Sequence, residues 1–205
     1  MSGYLNKLIT LAPILSPTRP YLRRRYGEKF PAVHIQPATP QDILQLLPLV
    51  NSAFRGESSK KGWTHEANLI AGTARTDAET LRENLLAPDS TMLKYCDDAD
   101  NIKGCVHLQK KERGLYLGML TVSPELQGGG VGKQLLAAAE EVARQYHCPG
   151  IYMTVLSVRH ELVAWYERHG YHQTGERQAF EVDAKFGNPV QPLELVILEK
   201  TVPPA

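Results

Sequence analysis

The segment from Gln127 to Leu136, QGGGVGKQLL, contains four glycines and one lysine and then begins an apolar helical pattern. Glycine lets the backbone approach a ligand closely, and the N–H groups at a helix N-terminus bind phosphate. The segment therefore predicts a loop that holds a phosphate-bearing ligand.

Two common phosphate-binding motifs do not fit this loop. A Walker A loop requires a glycine five residues before its Gly-Lys pair and a Ser or Thr directly after it. The chain has Gln127 and Gln134 at those positions. A dinucleotide G-x-G-x-x-G loop would need its third glycine where Lys133 or Leu135 stands. Both interpretations are therefore excluded.

Histidine and cysteine give only weak signals for chemistry. His169 and His172 lie on either side of a predicted helix end, and no third ligand is spaced to join them. We therefore expect no metal. Cys148 has no activating pattern around it and is interpreted as a packed thiol.

Charge and composition limit the partners of the chain. The net charge is +1, and no run of five or more like charges occurs. A basic stripe is expected in a nucleic-acid-binding protein, so we predict no nucleic-acid partner. No apolar run approaches the roughly 18 residues needed to cross a bilayer, so we predict no membrane partner. Three scattered cysteines favour a reducing compartment, and we expect a cytoplasmic protein.

The elements before the glycine loop follow from apolar spacing and turn residues. A short strand is predicted over residues 32–38, and a helix over residues 40–54 in which Pro48 should cause a kink or an early break. A polar stretch over residues 55–77 leads into a helix over residues 77–87. Three strands are then predicted over residues 90–98, 101–111 and 114–122.

The strongest helical pattern in the chain covers residues 130–146, directly after the glycine loop. A strand over residues 149–156 and a helix over residues 160–170 follow, and Gly170 suits a left-handed helix end. Two final strands are predicted over residues 171–180 and 192–200. This order indicates a mixed α/β domain.

Residues 1–31 are interpreted as an N-terminal arm, and residues 32–205 as one domain. Five basic residues and no acid precede Glu28, a composition typical of a mitochondrial transit peptide. Prolines at positions 13, 17 and 20 interrupt any long amphipathic helix. We prefer an arm that packs on the domain or on a partner subunit, with targeting as the alternative.

Around the glycine loop, the sequence resembles the GNAT superfamily of acetyl-CoA-dependent acyltransferases. The acyl-CoA loop of that family has the pattern [Arg/Gln]-x-x-Gly-x-[Gly/Ala] after a strand ending in V-x-P. The segment LTVSPELQGGGVGKQLL matches this pattern. The matching residues are Val122, Pro124, Gln127, Gly130 and Gly132.

A second element of the family follows one strand later. The segment VLSVRHELVAWYERHGYHQTG supplies a helix with Tyr166 four residues before Gly170, and Tyr171 follows that glycine. The resemblance is close over residues 102–175 and weaker from residue 32 onward. It implies a largely antiparallel central sheet flanked by helices, with acetyl-CoA as co-substrate.

The resemblance also implies roles for individual residues. A backbone N–H of the strand leading into the loop, around Leu120 to Val122, would stabilise the tetrahedral oxyanion. Tyr166 would protonate the departing thiolate, the alternative being an aromatic residue packed in the core like Trp165. The implied acetyl-CoA-binding residues are Leu120, Thr121, Val122, Gln127, Gly128, Gly129, Gly130, Val131, Gly132 and Lys133.

The general base is where the sequence departs from the family. Many relatives carry a glutamate and an asparagine where this chain has Thr154 and Arg159. Neither Thr154 nor Arg159 is a base near neutral pH. Glu66 in KKGWTHEANL is the best candidate. The alternative is that Glu66 is an acid in the first turn of a helix. The predicted acceptor-site residues from the same segment are Trp63, Thr64 and His65.

The resemblance implies an N-acetyltransferase, and we expect a small-molecule primary amine as the acceptor that attacks acetyl-CoA directly. Acetylation of a protein N-terminus or lysine is the first alternative. Because the glutamate and asparagine of the family are missing, the second alternative is a CoA-binding sensor without catalytic activity. A homodimer is left open.

Overall fold

The computed structural model describes residues 34–204. The arm predicted over residues 1–31 lies outside the described residues, so its role stays a prediction. The strands are β1 (His34–Pro37), β2 (Ile70–Ala71), β3 (Ser90–Cys96), β4 (Ile102–Lys111), β5 (Gly114–Val122), β6 (Gly150–Leu156), β7 (His172–Ala179), β8 (Asn188–Pro189) and β9 (Glu194–Thr201). The α-helices are α1 (Ile43–Phe54), α2 (Gly56–Ser59), α3 (Ala78–Leu86), α4 (Val131–Gln145) and α5 (His160–Arg168).

Seven of these strands form one sheet in the order β1-β3-β4-β5-β6-β9-β7. β5 and β6 are parallel, whereas the other neighbours pair antiparallel. The predicted mixed α/β fold with a largely antiparallel sheet is therefore confirmed. The short helix α2 and the separate β2–β8 ribbon lie partly in the stretch predicted as polar loop, and the sequence did not indicate them.

Helices cover both faces of the sheet, as the alternation of side chains along β4 shows. Cys105 packs in a core cluster with Leu46 of α1 and Leu81 of α3. A Cβ at the neighbouring Gly104 would lie 3.2 Å from the side chain of Leu135 in α4. Since adjacent residues of a strand point to opposite faces, α1 and α3 cover one face and α4 covers the other.

Helix α1 continues through Pro48, so an early break there is wrong, whereas a kink stays a prediction. Pro48 removes the N–H that would bond the carbonyl of Leu44. Leu44 is 87% exposed, so the turn of the helix that lacks this bond faces solvent. The opposite face buries Leu46, Leu49 and Val50 in the core, and such packing supplies most of the stability of a protein helix.

The parallel strands β5 and β6 pair only near their beginnings. The paired residues are Leu115 with Ile151 and Tyr116 with Tyr152. Both strands continue beyond these pairs, β5 to Val122 and β6 to Leu156. Their carboxyl ends therefore separate and leave a gap in the middle of the sheet.

Candidate active site

A cavity of about 560 Å³ occupies the gap between β5 and β6. Cavities of this size are typical of small-molecule sites. The predicted site residues that line it are Trp63, Thr64, Glu66, Leu120, Thr121, Val122, Gln127, Gly128, Gly130, Gly132, Lys133 and Tyr166. Three predicted residues do not line it, namely His65, Gly129 and Val131. The glycine loop and helix α5, which carries Tyr166 and is hereafter the tyrosine helix, therefore border the same cavity.

The glycine loop takes a backbone conformation that favours glycine at two positions. Gly128 and Gly130 have φ angles of +84° and +87°, in the left-handed region that strains other residues. A Cβ at either position would meet no described atom within 4 Å. Gly130 is the N-cap of α4, and no described side chain caps its N–H groups. An anion in the cavity could therefore accept hydrogen bonds from the first backbone N–H groups of α4. The exposed Lys133 lines the same cavity.

Strand β5 contains a β-bulge beside the cavity. Cys105 pairs with Thr121 and His107 with Gly118, so two residues of β5 stand opposite one residue of β4. One of the two is Met119, whose φ of +50° is rare for a residue other than glycine. A bulge leaves its extra residue outside the regular ladder and re-aims the strand. Both bulge residues, Met119 and Leu120, line the cavity at the start of residues 120–122, the segment predicted to supply the oxyanion donor.

Tyr166 of α5 lines the cavity although its side chain is only 5% exposed. Its ring packs edge-on against Trp165 and Tyr171, at centroid distances of 5.0 and 5.7 Å. Burial raises the pKa of Tyr166, so its hydroxyl keeps the proton. Since the raised pKa leaves a neutral hydroxyl beside the cavity, Tyr166 is chemically suited to donate a hydrogen bond.

Gln127 joins the glycine loop to the segment that precedes Glu66. Its side-chain N–H donates to the carbonyl of Val122, and its Oε1 accepts from the backbone N–H of Thr64, both at 3.4 Å. A Cβ at Gly62 would clash with the Gln127 side chain, so the two segments lie in close contact. The residue with which the loop pattern begins therefore also holds the segment that carries Trp63 and Thr64.

Glu66 lies among three arginines. Its Oε1 accepts a hydrogen bond from Nη1 of Arg159 at 3.1 Å. Its Oε2 lies 3.1 Å from Nη2 of Arg55 and 3.8 Å from Nε of Arg75, without an aligned hydrogen bond among the described groups. Glu66 is 7% exposed, Arg55 1% and Arg159 6%. These four residues form a largely buried ion cluster beside the cavity, hereafter the arginine cluster.

The alternative role expected for Glu66, an acid in the first turn of a helix, is wrong. Glu66 lies in a bend between α2 and β2, where its N–H donates to the carbonyl of Phe54 at 2.9 Å. The side chain therefore meets guanidinium groups rather than a helix N-terminus. A role for Glu66 as proton acceptor stays a prediction.

The other predicted acceptor-site residues lie differently. Trp63 is 44% exposed and lines the cavity, with its ring centroid 6.3 Å from that of Trp165. The Oγ1 of Thr64 accepts from Nη2 of Arg159 at 2.7 Å. His65 faces its own turn, and its Nδ1 accepts from the backbone N–H of Ala67 at 3.3 Å. Trp63 and Thr64 therefore border the cavity, whereas the His65 ring completes a local turn.

Sequence reasoning missed two arginines and the bulge residue of this site. Arg55 begins the polar stretch and Arg75 lies near its end, and charged residues in such a stretch usually face solvent. Met119 has no sequence signal for a positive φ. For Arg159, the sequence indicates only that an arginine stands where many relatives have asparagine. The sequence could not predict that one carboxylate contacts three arginines, because residues 55, 66, 75 and 159 come together only in the folded chain.

Two further features concern the described residues as a whole. Within residues 34–204, no helix is long and apolar enough to span a bilayer. The same residues contain no group of three or more His, Cys, Asp or Glu side chains that could hold a metal ion. His169 instead packs against Trp165, at a ring distance of 4.3 Å.

The family model of the acetyltransferase (GNAT) domain matches residues 63–182 of the chain. The match includes the glycine loop, the tyrosine helix and most of the arginine cluster. No curated protein matches the chain by sequence.

Solved structures share the fold at low sequence identity. A protein from Streptococcus mutans UA159 is 16% identical with a TM-score of 0.63, over 83% of this chain and 99% of that one. A ribosomal-protein-alanine N-acetyltransferase from Brucella melitensis is 21% identical with a TM-score of 0.61, over 82% and 99% of the two chains. A spermidine N-acetyltransferase chimera of Vibrio cholerae SpeG and hSSAT is 15% identical with a TM-score of 0.59, over 82% and 95%.

Proposed function

The chain belongs to the GNAT acetyltransferase family, and we propose that it transfers the acetyl group of acetyl-CoA to a primary amine of a small molecule by direct attack. One observation carries the proposal. A single cavity between the separated strands joins the glycine loop to Tyr166 and to the arginine cluster. Donor and acceptor can therefore meet without an intermediate on the protein.

The glycine loop fits the pyrophosphate of acetyl-CoA. The backbone at Gly128 and Gly130 leaves open space where side chains would otherwise stand, and the first N–H groups of α4 have no side-chain cap among the described residues. Such N–H groups, together with the helix dipole, favour a bound phosphate. Lys133 in the first turn adds a positive charge.

The transfer itself needs three tasks from the protein. A free alkylamine has a pKa near 10, so its proton must be removed before attack. The oxyanion that forms next needs a donor, and the backbone N–H groups from Leu120 in the bulge to Val122 are the candidates. The departing thiolate is then protonated, and Tyr166 carries a protonated hydroxyl beside the same cavity. Glu66 is the candidate proton acceptor, directly or through water.

The amount of thiol released from acetyl-CoA in the presence of candidate amines tests the proposal. The panel should contain amino acids, polyamines, aminoglycosides and peptides with a free N-terminus. We expect release that depends on a small amine, with the acetylated amine identified by mass spectrometry. Release only with peptides would favour a protein acetyltransferase. Binding of acetyl-CoA without release for every amine would favour a sensor.

The variant Gly130→Ala is expected to weaken acetyl-CoA binding. A Cβ at a φ of +87° costs about 1–2 kcal/mol in the left-handed region, and the loop can relieve this strain only by turning its N–H groups. We expect the Kd for acetyl-CoA to rise about tenfold, the equivalent of ~1.4 kcal/mol. Isothermal titration calorimetry measures this change.

Gly175→Ala is the matched control for that variant. Gly175 has a φ of +88°, and a Cβ there would likewise meet no described atom within 4 Å. It lies in β7 and does not line the cavity. Both variants should lose similar stability, but only Gly130→Ala should change the Kd. An unchanged Kd in both would show that the loop does not bind acetyl-CoA.

A further inference from the structure

The arginine cluster has more positive than negative charge. Three guanidinium groups, those of Arg55, Arg75 and Arg159, face the one carboxylate of Glu66. Among residues 34–204, Glu66 is the one acid within 4.0 Å of any of these three arginines. The formal charge of the four side chains is therefore +2.

Burial makes this surplus costly. Arg55 and Arg159 are more than nine-tenths buried, and the Nε of each has no hydrogen-bond partner in the described part of the chain. Buried charged groups in proteins are almost always paired. Burial lowers the pKa of Arg55, and the like charges of Arg75 and Arg159 act in the same direction, against the opposing effect of Glu66. The cluster is thus incomplete as a set of ion pairs.

The neighbouring protein groups do not supply the missing negative charge. Nη2 of Arg159 bonds the neutral hydroxyl of Thr64 at 2.7 Å, and the Arg75 guanidinium lies over the Phe54 ring at 5.5 Å. Glu161 contacts the same threonine at 3.4 Å, but it is exposed and does not line the cavity. An anion from outside the protein is therefore the partner that the cluster lacks.

The cavity gives such an anion access to the cluster. Arg75, Glu66 and Arg159 line it, and so does Tyr166. Guanidinium groups bind carboxylates strongly because their N–H groups match the two oxygens. A molecule with a carboxylate next to an amine would bring the carboxylate to the arginines and the amine toward Glu66.

We infer that Arg75 and Arg159 bind an anionic group of the acceptor, and that the acceptor is therefore an amine that also carries a carboxylate, as a free α-amino acid does. This inference rests on the proposed acetyltransferase function. It narrows the small-molecule amines to one class and disfavours polycations such as spermidine, whose charges would meet the surplus positive charge of the cluster.

Matched acceptors test this without any change to the protein. Initial rates of thiol release from acetyl-CoA are measured with a panel of free L-amino acids, with the carboxamide of each and with spermidine. Each amide keeps the amine and the side chain but lacks the carboxylate. We expect kcat/KM for the preferred amino acid to exceed that of its amide by about 10- to 100-fold, the usual value of charge-assisted hydrogen bonds.

The variant Arg75→Gln locates the effect. The Arg75 side chain is 34% exposed, so the charge can be removed with less damage to the core than at Arg159. The ratio of kcat/KM between amino acid and amide should fall by about tenfold. Arg177→Gln is the control, because Arg177 is an exposed arginine paired with Glu194 outside the cavity, and its ratio should stay unchanged.

The outcomes separate the inference from the function on which it rests. Amides or spermidine acetylated as fast as free amino acids would overturn the inference and leave the acetyltransferase function in place. An unchanged ratio in Arg75→Gln would also overturn it. Acetyl-CoA binding without thiol release for any amine would instead contradict the proposed function.

Discussion

Replacing Tyr166 with phenylalanine is expected to lower turnover by about 10²-fold or more and to leave the affinity for acetyl-CoA nearly unchanged. The variant keeps the ring and its contacts with Trp165 and Tyr171 but removes the hydroxyl beside the cavity. Since burial keeps that hydroxyl protonated, its loss removes a donor that the departing thiolate would otherwise meet. Pre-steady-state mixing with the preferred amine separates this step from binding.

Tyr171→Phe is the matched control. Tyr171 is 3% exposed, its ring packs against Tyr166, and its hydroxyl has no partner among the described residues. Removing that hydroxyl should leave turnover within about twofold, because Tyr171 does not line the cavity and its hydroxyl has no hydrogen bond to lose among the described residues. Full turnover in Tyr166→Phe, or an equal loss in both variants, would contradict the assignment of Tyr166 as the acid.

The sequence predicted most of the elements around the glycine loop, because their signals are local. The helix α4 has an apolar face in the register of a helix, and Gly170 marks the end of α5 with a φ of +87°. The glycines from Gly128 to Gly132 lie between a strand and a helix, and a loop of this kind predicts a phosphate ligand. Such signals can be read from the sequence because each depends on residues only a few positions apart.

The acceptor side could not be predicted, because its geometry depends on contacts between distant residues. The arginine cluster joins Arg55 in the first third of the described residues to Arg159 in the last third. A charged residue has no periodic pattern that reveals its burial. The separation of β5 from β6 likewise follows from where their pairing stops, which no residue type marks. Met119 takes a positive φ without being a glycine, so the bulge had no sequence signal.

Glu66→Gln is expected to cost much of the stability of the protein. The substitution keeps the shape of the side chain but removes the one negative charge near Arg55 and Arg159, both of which are buried. Breaking a buried ion pair by removing one partner typically costs about 3–5 kcal/mol, because the remaining charge is left uncompensated. Urea unfolding without substrate should show a fall of this size in the free energy of unfolding.

Glu161→Gln is the control for that variant, because Glu161 is an exposed carboxylate that contacts Thr64 at the edge of the same region. Its substitution should change the free energy of unfolding by less than about 0.5 kcal/mol. The pH dependence of kcat/KM in folded Glu66→Gln then separates two roles. A profile that keeps its acidic limb would show that Glu66 stabilises the arginine cluster and that another group accepts the proton of the amine. A profile that loses the acidic limb, in a variant as stable as the parent, would make Glu66 the general base and contradict the ion-cluster account.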